Sequence, residues 1–135
     1  MPTEDPAKTV RYEIDLEARL ARLVLSGPIL LEDAIGTLRD MLADPRFDQG
    51  WDVLFDLTGA VADFGAAEIR SVRDFVEASQ DVRARSRWAV VAPSDVNYGL
   101  VRMFEALSSD LDIRTRAFRS REEALAWLAE DRSQE

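Results

Sequence analysis

The chain opens with two strand patterns and then alternates helix patterns with strand patterns, and this order constrains the fold more than any other feature. Val10, Tyr12 and Ile14 alternate with charged residues, which is typical of a strand with one buried face. Residues 19–26 are predicted to pair back on this strand as a hairpin, and the Gly-Pro pair at 27–28 is predicted to end it.

Three further strands and four helices are predicted. The helix patterns cover residues 30–43 and then follow Gly65, Ser94 and Ser120, and the strand patterns cover residues 51–56, 87–92 and 113–118. Because strand-helix-strand units take right-handed crossovers, the last four strands should be parallel and the first antiparallel to its neighbour. The sequence therefore predicts an α/β fold, β-β-α-β-α-β-α-β-α, with a mixed, mostly parallel five-stranded sheet and four packed helices.

The size and composition fit one domain. The chain has 135 residues, of which 47% are hydrophobic and 32% charged. We expect residues 1–8 to form a flexible arm, residues 9–130 a single domain and residues 131–135 a tail. The longest apolar run is far short of the roughly 20 residues of a membrane helix. The acidic N-terminus does not resemble a signal peptide, so we expect a cytoplasmic, non-transmembrane protein.

The sequence contains no histidine and no cysteine. These absences exclude disulfides, thiolate nucleophiles, Ser-His-Asp hydrolysis and most zinc or iron sites. We therefore expect no catalysis and no cofactor. The net charge of −9 repels a phosphate backbone, so nucleic acid is not an expected partner.

Ligands of open parallel sheets collect beyond the carboxyl ends of the strands, where two loops are predicted. The first loop follows the strand at residues 51–56, and in it Asp56, Thr58 and Asp63 are compatible with a polar cradle. In the structural alternative, Asp63 caps the next helix and Gly59 makes a turn. That alternative is favoured, because a third magnesium ligand and a phosphate-binding glycine motif are not evident.

The second loop precedes the third helix. Ser94 or Asp95 is predicted to cap that helix. Asn97 and Tyr98 fall in its first turn, near the predicted crevice, and are candidate binding residues. The structural alternative for Tyr98 is packing over a neighbouring loop.

Arginines cluster around the last strand on an otherwise acidic chain. They are compatible with an anion or partner site, but charged side chains on an edge strand also prevent sheet-to-sheet aggregation, and we favour this role. The cluster comprises Arg114, Arg116, Arg119 and Arg121, with Arg83, Arg85 and Arg87 as further members.

Five segments share their order with a known family. They are Ser26-Gly-Pro28, Ala43-Asp-Pro-Arg-Phe47, Asp56-Leu57, the helix pattern Tyr98 to Leu107, and the closing segment Phe118 to Leu128. Together they resemble the STAS-like proteins, and in particular small stand-alone bacterial proteins related to anti-sigma-factor antagonists. The resemblance extends from Val10 to Leu128.

The resemblance implies a mixed sheet with packed helices and a non-enzymatic role in regulation or ligand sensing. In anti-sigma-factor antagonists, a kinase partner phosphorylates a serine at the start of the helix that follows the third strand. Phe64 or Gly65 occupies that position here, so we expect no phosphoserine switch.

Two functional interpretations follow. The first is a regulatory protein-binding module that uses residues 58–66 and the next helix. The second is a carrier or sensor of a small apolar or lipid-type ligand, as implied by a loose grouping with CRAL-TRIO domains. Its crevice would be lined by Phe64, Tyr98, Met103 and Phe104, for which core packing is the alternative. Either is compatible with a homodimer formed through a sheet edge or a helix face.

Overall fold

The computed structural model describes residues 10–48, 50–79 and 86–130. Within them the chain forms five strands and four helices, in the predicted order. The strands are β1 (Val10–Asp15), β2 (Leu20–Ile29), β3 (Asp52–Ala62), β4 (Ser86–Val91) and β5 (Ile113–Phe118). The helices are α1 (Leu31–Ala43), α2 (Ala66–Ala78), α3 (Asp95–Leu107) and α4 (Arg121–Leu128).

Some predictions fall outside this part of the chain. The predicted arm, the predicted tail, Arg83 and Arg85 all lie outside the described residues. None of the helices within the described ranges combines the length and the hydrophobicity that a membrane crossing requires.

The strands form one mixed sheet in the order β1-β2-β3-β4-β5. β1 runs antiparallel to β2, with Val10 opposite Leu25, and the other three pairings are parallel. This confirms the predicted sheet. β5 lies at an edge, as expected for a strand that carries charged side chains.

The two faces of the sheet are covered by different helices. Alternate strand residues such as Val53 and Trp88 belong to the core that includes residues of α1, α2 and α3. Their neighbours Leu54 and Ala89 pack with Trp127 of α4. We call the face under α1–α3 the inner face and the opposite one the outer face.

β2 and β3 are longer than predicted. The sequence predicts that β2 ends before residue 27 and that residues 57–64 form a loop, and both predictions are wrong. β2 continues to Ile29, which pairs with Ala62 at the end of β3. Among the described residues, β1 pairs with β2 as far as Leu25, so Pro28 lies beyond the last of these described pairs. Residues 26–29 and 59–62 pair with each other at this end of the sheet, and we call these two segments the ribbon.

A β-bulge connects the ribbon to the sheet. Val24 pairs with Asp56 but Ser26 pairs with Gly59, so β3 carries one extra residue. Asp56 Oδ1 accepts hydrogen bonds from the Thr58 backbone N–H (2.9 Å) and hydroxyl (2.6 Å), which stabilise this bulge. Gly59 lies within β3 and not in a turn, and a Cβ there would stand 3.4 Å from Ser26 Cβ.

The caps of α2, α3 and α4 differ in how well they were predicted. Asp63 does not cap α2. A cap at Asp63 requires a helix that begins at residue 64, whereas α2 begins at Ala66. Gly65 precedes it and donates its N–H to Glu68 Oε1 at 2.6 Å. Ser94 caps α3, as predicted, and Ser120 caps α4.

The start of α3 is tied to the ribbon by Asn97. This side chain is 3% exposed, and its Nδ2 donates to the Ala60 carbonyl oxygen at 3.0 Å. The Asn97 backbone N–H donates to Ser94 Oγ at 3.1 Å. β4 does not pair with β3 beyond Asp56, so Asn97 supplies a hydrogen bond that a neighbouring strand would otherwise supply.

Arg87 is buried and joins α4 to the sheet. Its Nη2 lies 2.8 Å from Asp52 Oδ2, and its guanidinium donates to the carbonyl oxygens of Trp127, Leu128 and Glu130. A cation at the C-terminus of a helix also complements the helix dipole. Arg87 therefore has a structural role and does not belong to a surface anion site.

The C-terminus of α1 is fixed to β1 by Asp44. Its carboxylate accepts hydrogen bonds from Arg46 and, at 2.8 Å, from the Tyr12 hydroxyl. The Arg46 side chain and backbone N–H hold the pKa of Asp44 well below its usual range. Burial and the bond to Asp44 raise the pKa of Tyr12.

Arg87→Ala should lower the free energy of unfolding by about 3–5 kcal/mol, because it removes the guanidinium that pairs with the largely buried Asp52 carboxylate and bonds to three carbonyl oxygens at the end of α4. Arg102→Ala is the control: Arg102 is 63% exposed and 3.9 Å from Glu105, and its loss should cost less than about 1 kcal/mol. Urea denaturation measures both values, and equal losses would contradict the structural role of Arg87.

Asn97→Asp should destabilise the protein by about 1–3 kcal/mol, since it places a carboxylate against the Ala60 carbonyl oxygen and removes the donor. The reverse exchange next to it, Asp95→Asn, is the control, because the Asp95 side chain is 94% exposed. Denaturation midpoints, together with faster amide exchange in the ribbon of Asn97→Asp, check this expectation. A stable variant with an unchanged ribbon would disprove it.

Candidate functional site

An apolar cavity of about 140 Å³ lies between the inner face of the sheet and helices α1, α2 and α3. On the sheet side, alternate residues line it: Phe55 and Leu57 of β3, and Trp88 and Val90 of β4. On the helix side the lining includes Ile35, Leu38, Ile69, Val72, Leu100 and Phe104. No charged side chain is among the lining residues that the structure describes.

Three aromatic rings form one wall of the cavity. The centres of the Phe55 and Trp88 rings are 4.9 Å apart. Trp88 and Phe104 lie nearly parallel, with centres 6.4 Å apart and planes at 9°. Trp88 is 2% exposed and Phe104 is 7% exposed, so packing fixes this wall from behind.

The ribbon and the segment after it form the other end of the cavity. Ile29, Ala60 and Ala62 line it from the ribbon, and Phe64 lines it from the connection to α2. Ala60, Ala62 and Phe64 are half-buried, so this end lies nearer to solvent than the wall around Trp88.

Two polar atoms of lining residues are buried without a hydrogen-bond partner. They are Trp88 Nε1 and Thr115 Oγ1. Trp88 and Thr115 are directly opposite each other in the β4–β5 ladder, so their side chains are neighbours on the inner face. The only lining side chains that can form hydrogen bonds, among the described residues, therefore lie side by side.

The predicted site residues do not converge on one site. Phe64 lines the cavity, but Asp56 lies between two cavity-lining residues of β3 and so points to the outer face. Asp56 and Thr58 bond to each other in the bulge, and Asp63 and Gly65 are exposed beside α2, so the predicted polar cradle does not form. In the described part of the chain, no three acidic side chains lie close enough to hold a metal ion.

Tyr98 lies in a separate, polar depression that it shares with Arg102, Glu105 and Arg119. The Arg119 guanidinium carbon lies 4.1 Å from the centre of the Tyr98 ring, and Arg119 also bonds to Asp95 Oδ1 at 2.8 Å. Tyr98 thus packs against the β5–α4 connection, which is the structural alternative considered above.

The crevice expected from the resemblance is only partly present. Phe64 and Phe104 line the cavity as expected, whereas Tyr98 and Met103 do not. Met103 packs against the core on the inner face.

Sequence reasoning missed Trp88 and Thr115. A signal was available for Thr115, because it stands between Ile113 and Ala117, both of which take the buried positions of β5. A polar residue in a buried register position either bonds to a neighbour or faces a cavity. Trp88 gave no such signal, since it stands in an uninterrupted apolar run at residues 88–91 of a strand that is buried on both faces.

A search of solved structures finds the same fold in another protein. One match is the crystal structure of an uncharacterised protein of the DUF3478 family, with a SpoIIAA-like fold, from Shewanella loihica PV-4. The TM-score is 0.54 and the identity 13%, over 96% of this chain and 99% of that chain. No family model and no curated protein matches the sequence. At this identity the likeness establishes the fold alone: the protein has a SpoIIAA-like fold, as the resemblance to STAS-like proteins implied.

Proposed function

We propose that this protein is a non-catalytic carrier or sensor that binds a small, neutral, largely apolar molecule in the cavity under α1–α3. The observation that carries the proposal is the cavity itself, which has a volume of about 140 Å³ and an apolar lining. Apolar side chains that line a cleft of this size lack packing partners on one side, which a bound apolar molecule supplies.

The volume indicates the size of the ligand. An engineered apolar cavity of about 150 Å³ stays dry and binds benzene. A molecule of similar size, or the apolar end of a longer one that extends past Phe64, fits the cavity. The aromatic wall of Phe55, Trp88 and Phe104 favours a flat ring over a branched group.

The non-catalytic part of the proposal is supported by the chemistry of the lining. A general base or a nucleophile has to reach the bound molecule. Thr115 is the only hydroxyl among the described lining residues, and no base accepts its proton. The chain also has neither histidine nor cysteine.

Benzene should raise the Tm of the wild-type protein, because a ligand that binds only the folded state stabilises it by mass action. Ala34→Leu should reduce that rise by more than half, since Ala34 lines the cavity and the added carbons occupy it. Ala43→Leu is the matched control, as Ala43 lies exposed at the end of the same helix. Calorimetric scans with and without benzene measure the effect, and an unshifted wild-type Tm would refute the proposal.

A second candidate function, the regulatory protein-binding module, is favoured by exposed apolar residues beside the ribbon. Leu30, Val61 and Val96 are 58%, 64% and 67% exposed. They belong to one region, because Leu30 follows the last pair of the ribbon and Val96 precedes Asn97, which bonds to Ala60. Exposed apolar residues that cluster in this way are typical of interaction surfaces.

Val61→Asp should then abolish capture of a protein partner, since a charge in the centre of an apolar interface is costly to bury. Leu16→Asp is the control, because Leu16 is 61% exposed but lies in the β1–β2 turn. Quantitative pull-downs from the cell extract of origin compare the three proteins. Equal recovery of every protein by wild type and Val61→Asp would exclude this function.

A further inference from the structure

The polar depression between α3, the end of β5 and the start of α4 is a second concave site, separate from the apolar cavity. It has a volume of about 260 Å³. Three arginines, Arg102, Arg116 and Arg119, line it together with the glutamates Glu105 and Glu123. The lining therefore carries a net positive charge, on a chain whose net charge is −9.

Both glutamates of the depression are engaged by the protein itself. Glu105 Oε2 accepts a hydrogen bond from the Ala117 backbone N–H at 2.9 Å, and so covers one polar group of the edge strand β5. Glu123 Oε1 accepts a hydrogen bond from the hydroxyl of Ser120, the residue that caps α4, at 3.1 Å. These two carboxylates have structural partners, and the arginines are the groups that remain available to a ligand.

Arg102 and Arg116 have unused hydrogen-bond donors. Arg102 is 63% exposed, and its ion pair with Glu105 is long, at 3.9 Å from Nε to Oε1. Arg116 packs its guanidinium carbon 5.4 Å from the centre of the Phe118 ring and 5.9 Å from that of Trp127. Neither arginine donates a hydrogen bond to another described residue. Their terminal N–H groups are therefore free to bind an acceptor in the depression.

Arg119 adds a third positive charge, whose position at the rim is fixed. Besides its contacts with Tyr98 and Asp95, it donates to the Pro93 carbonyl oxygen at 3.0 Å. Arg116 and Arg119 also stand at the carboxyl end of β5, the end of a parallel strand where ligands of open sheets collect. Charge and position together favour an anionic ligand here.

We infer that this depression binds a phosphate monoester group, with Arg102 and Arg116 in direct contact with the phosphate oxygens and Arg119 as a further charge at the rim. The planar fork of a guanidinium matches phosphate oxygens in pairs. A phosphate monoester carries a charge of about −1.5 to −2 at pH 7, which suits two arginines better than a single carboxylate does. The site lies outside the apolar cavity, so the inference goes beyond the proposed function and does not depend on it.

The test uses glycerol 3-phosphate as the probe and glycerol as the matched control without phosphate. Each is titrated into the ¹⁵N-labelled full chain and followed by NMR, with sodium chloride keeping the ionic strength constant. Glycerol 3-phosphate should shift the amide resonances of Ala117, Phe118 and Arg102 in a saturable way, because these residues line the depression. Glycerol should leave them in place.

Two arginine variants check the proposed contacts. Arg102→Gln and Arg116→Gln should each weaken glycerol 3-phosphate binding about fivefold, because each removes one charge-assisted contact in an exposed site. The high exposure of Arg102 keeps this comparison free of folding effects. Arg70→Gln is the matched control: it removes the same charge at an exposed position of α2 and should change the affinity less than about twofold, since salt screens distant charges.

Glu123→Gln should have the opposite effect. It removes a negative charge from the depression and keeps an oxygen that can accept the Ser120 hydroxyl, as glutamine also serves in a capping box. Glycerol 3-phosphate should then bind about twofold more tightly, because a like charge near the phosphate is lost. A variant that only damaged the fold would not strengthen binding.

The outcomes are distinct. Saturable shifts that both arginine variants weaken and Glu123→Gln strengthens support the inference. A blocked phosphoserine tripeptide, titrated in parallel, identifies the source of the phosphate: tighter binding of the peptide indicates a phosphorylated side chain, and tighter binding of glycerol 3-phosphate a free small molecule. Shifts that do not saturate, or equal affinities in wild type, Arg102→Gln and Arg116→Gln, overturn the inference and leave the proposed function of the apolar cavity standing.

Discussion

The handedness of the crossovers is the constraint on which the rest of this structure depends. The strands are ordered as in the sequence, so α1, α2 and α3 each carry the chain one strand further in the same direction. Right-handed crossovers that all advance in one direction place their helices on the same face of the sheet. The inner face therefore receives three helices, and only α4, which follows the last strand, can cover the outer face.

This unequal covering explains where the cavity lies and how α4 is held. Three helices with side chains of different size have to fit one twisted sheet, and the space they leave lies where they meet above Trp88. On the outer face, α4 is the one helix that the described residues place against the sheet. Its attachment depends on Trp127 against the sheet and on Arg87, which donates to the carbonyl oxygens at its C-terminus.

The sequence correctly predicted the structural features that follow from local periodicity. The order of elements, the parallel sheet and the caps at Ser94 and Ser120 agree with the structure, because side-chain spacing and cap chemistry are local properties. The ribbon was missed because it depends on contacts between residues that are distant in the sequence. Residues 57–62 contain a glycine and small residues that read as a loop, and they form a strand only because β2 lies beside them and the Asp56–Thr58 bulge corrects the register.

The candidate site likewise contains residues that the sequence identified and residues that only the three-dimensional structure brings together. Phe64 and Phe104 were expected to line a crevice because of the resemblance to STAS-like proteins and their loose grouping with CRAL-TRIO domains, and both line the cavity. Trp88 and Thr115 become a pair only through the β4–β5 register, which joins residues from distant parts of the chain. Asp56 and Thr58 were candidates for a polar cradle because polar residues at a strand end suggest a ligand, although the structural alternative was favoured. In the structure they bond to each other within the bulge.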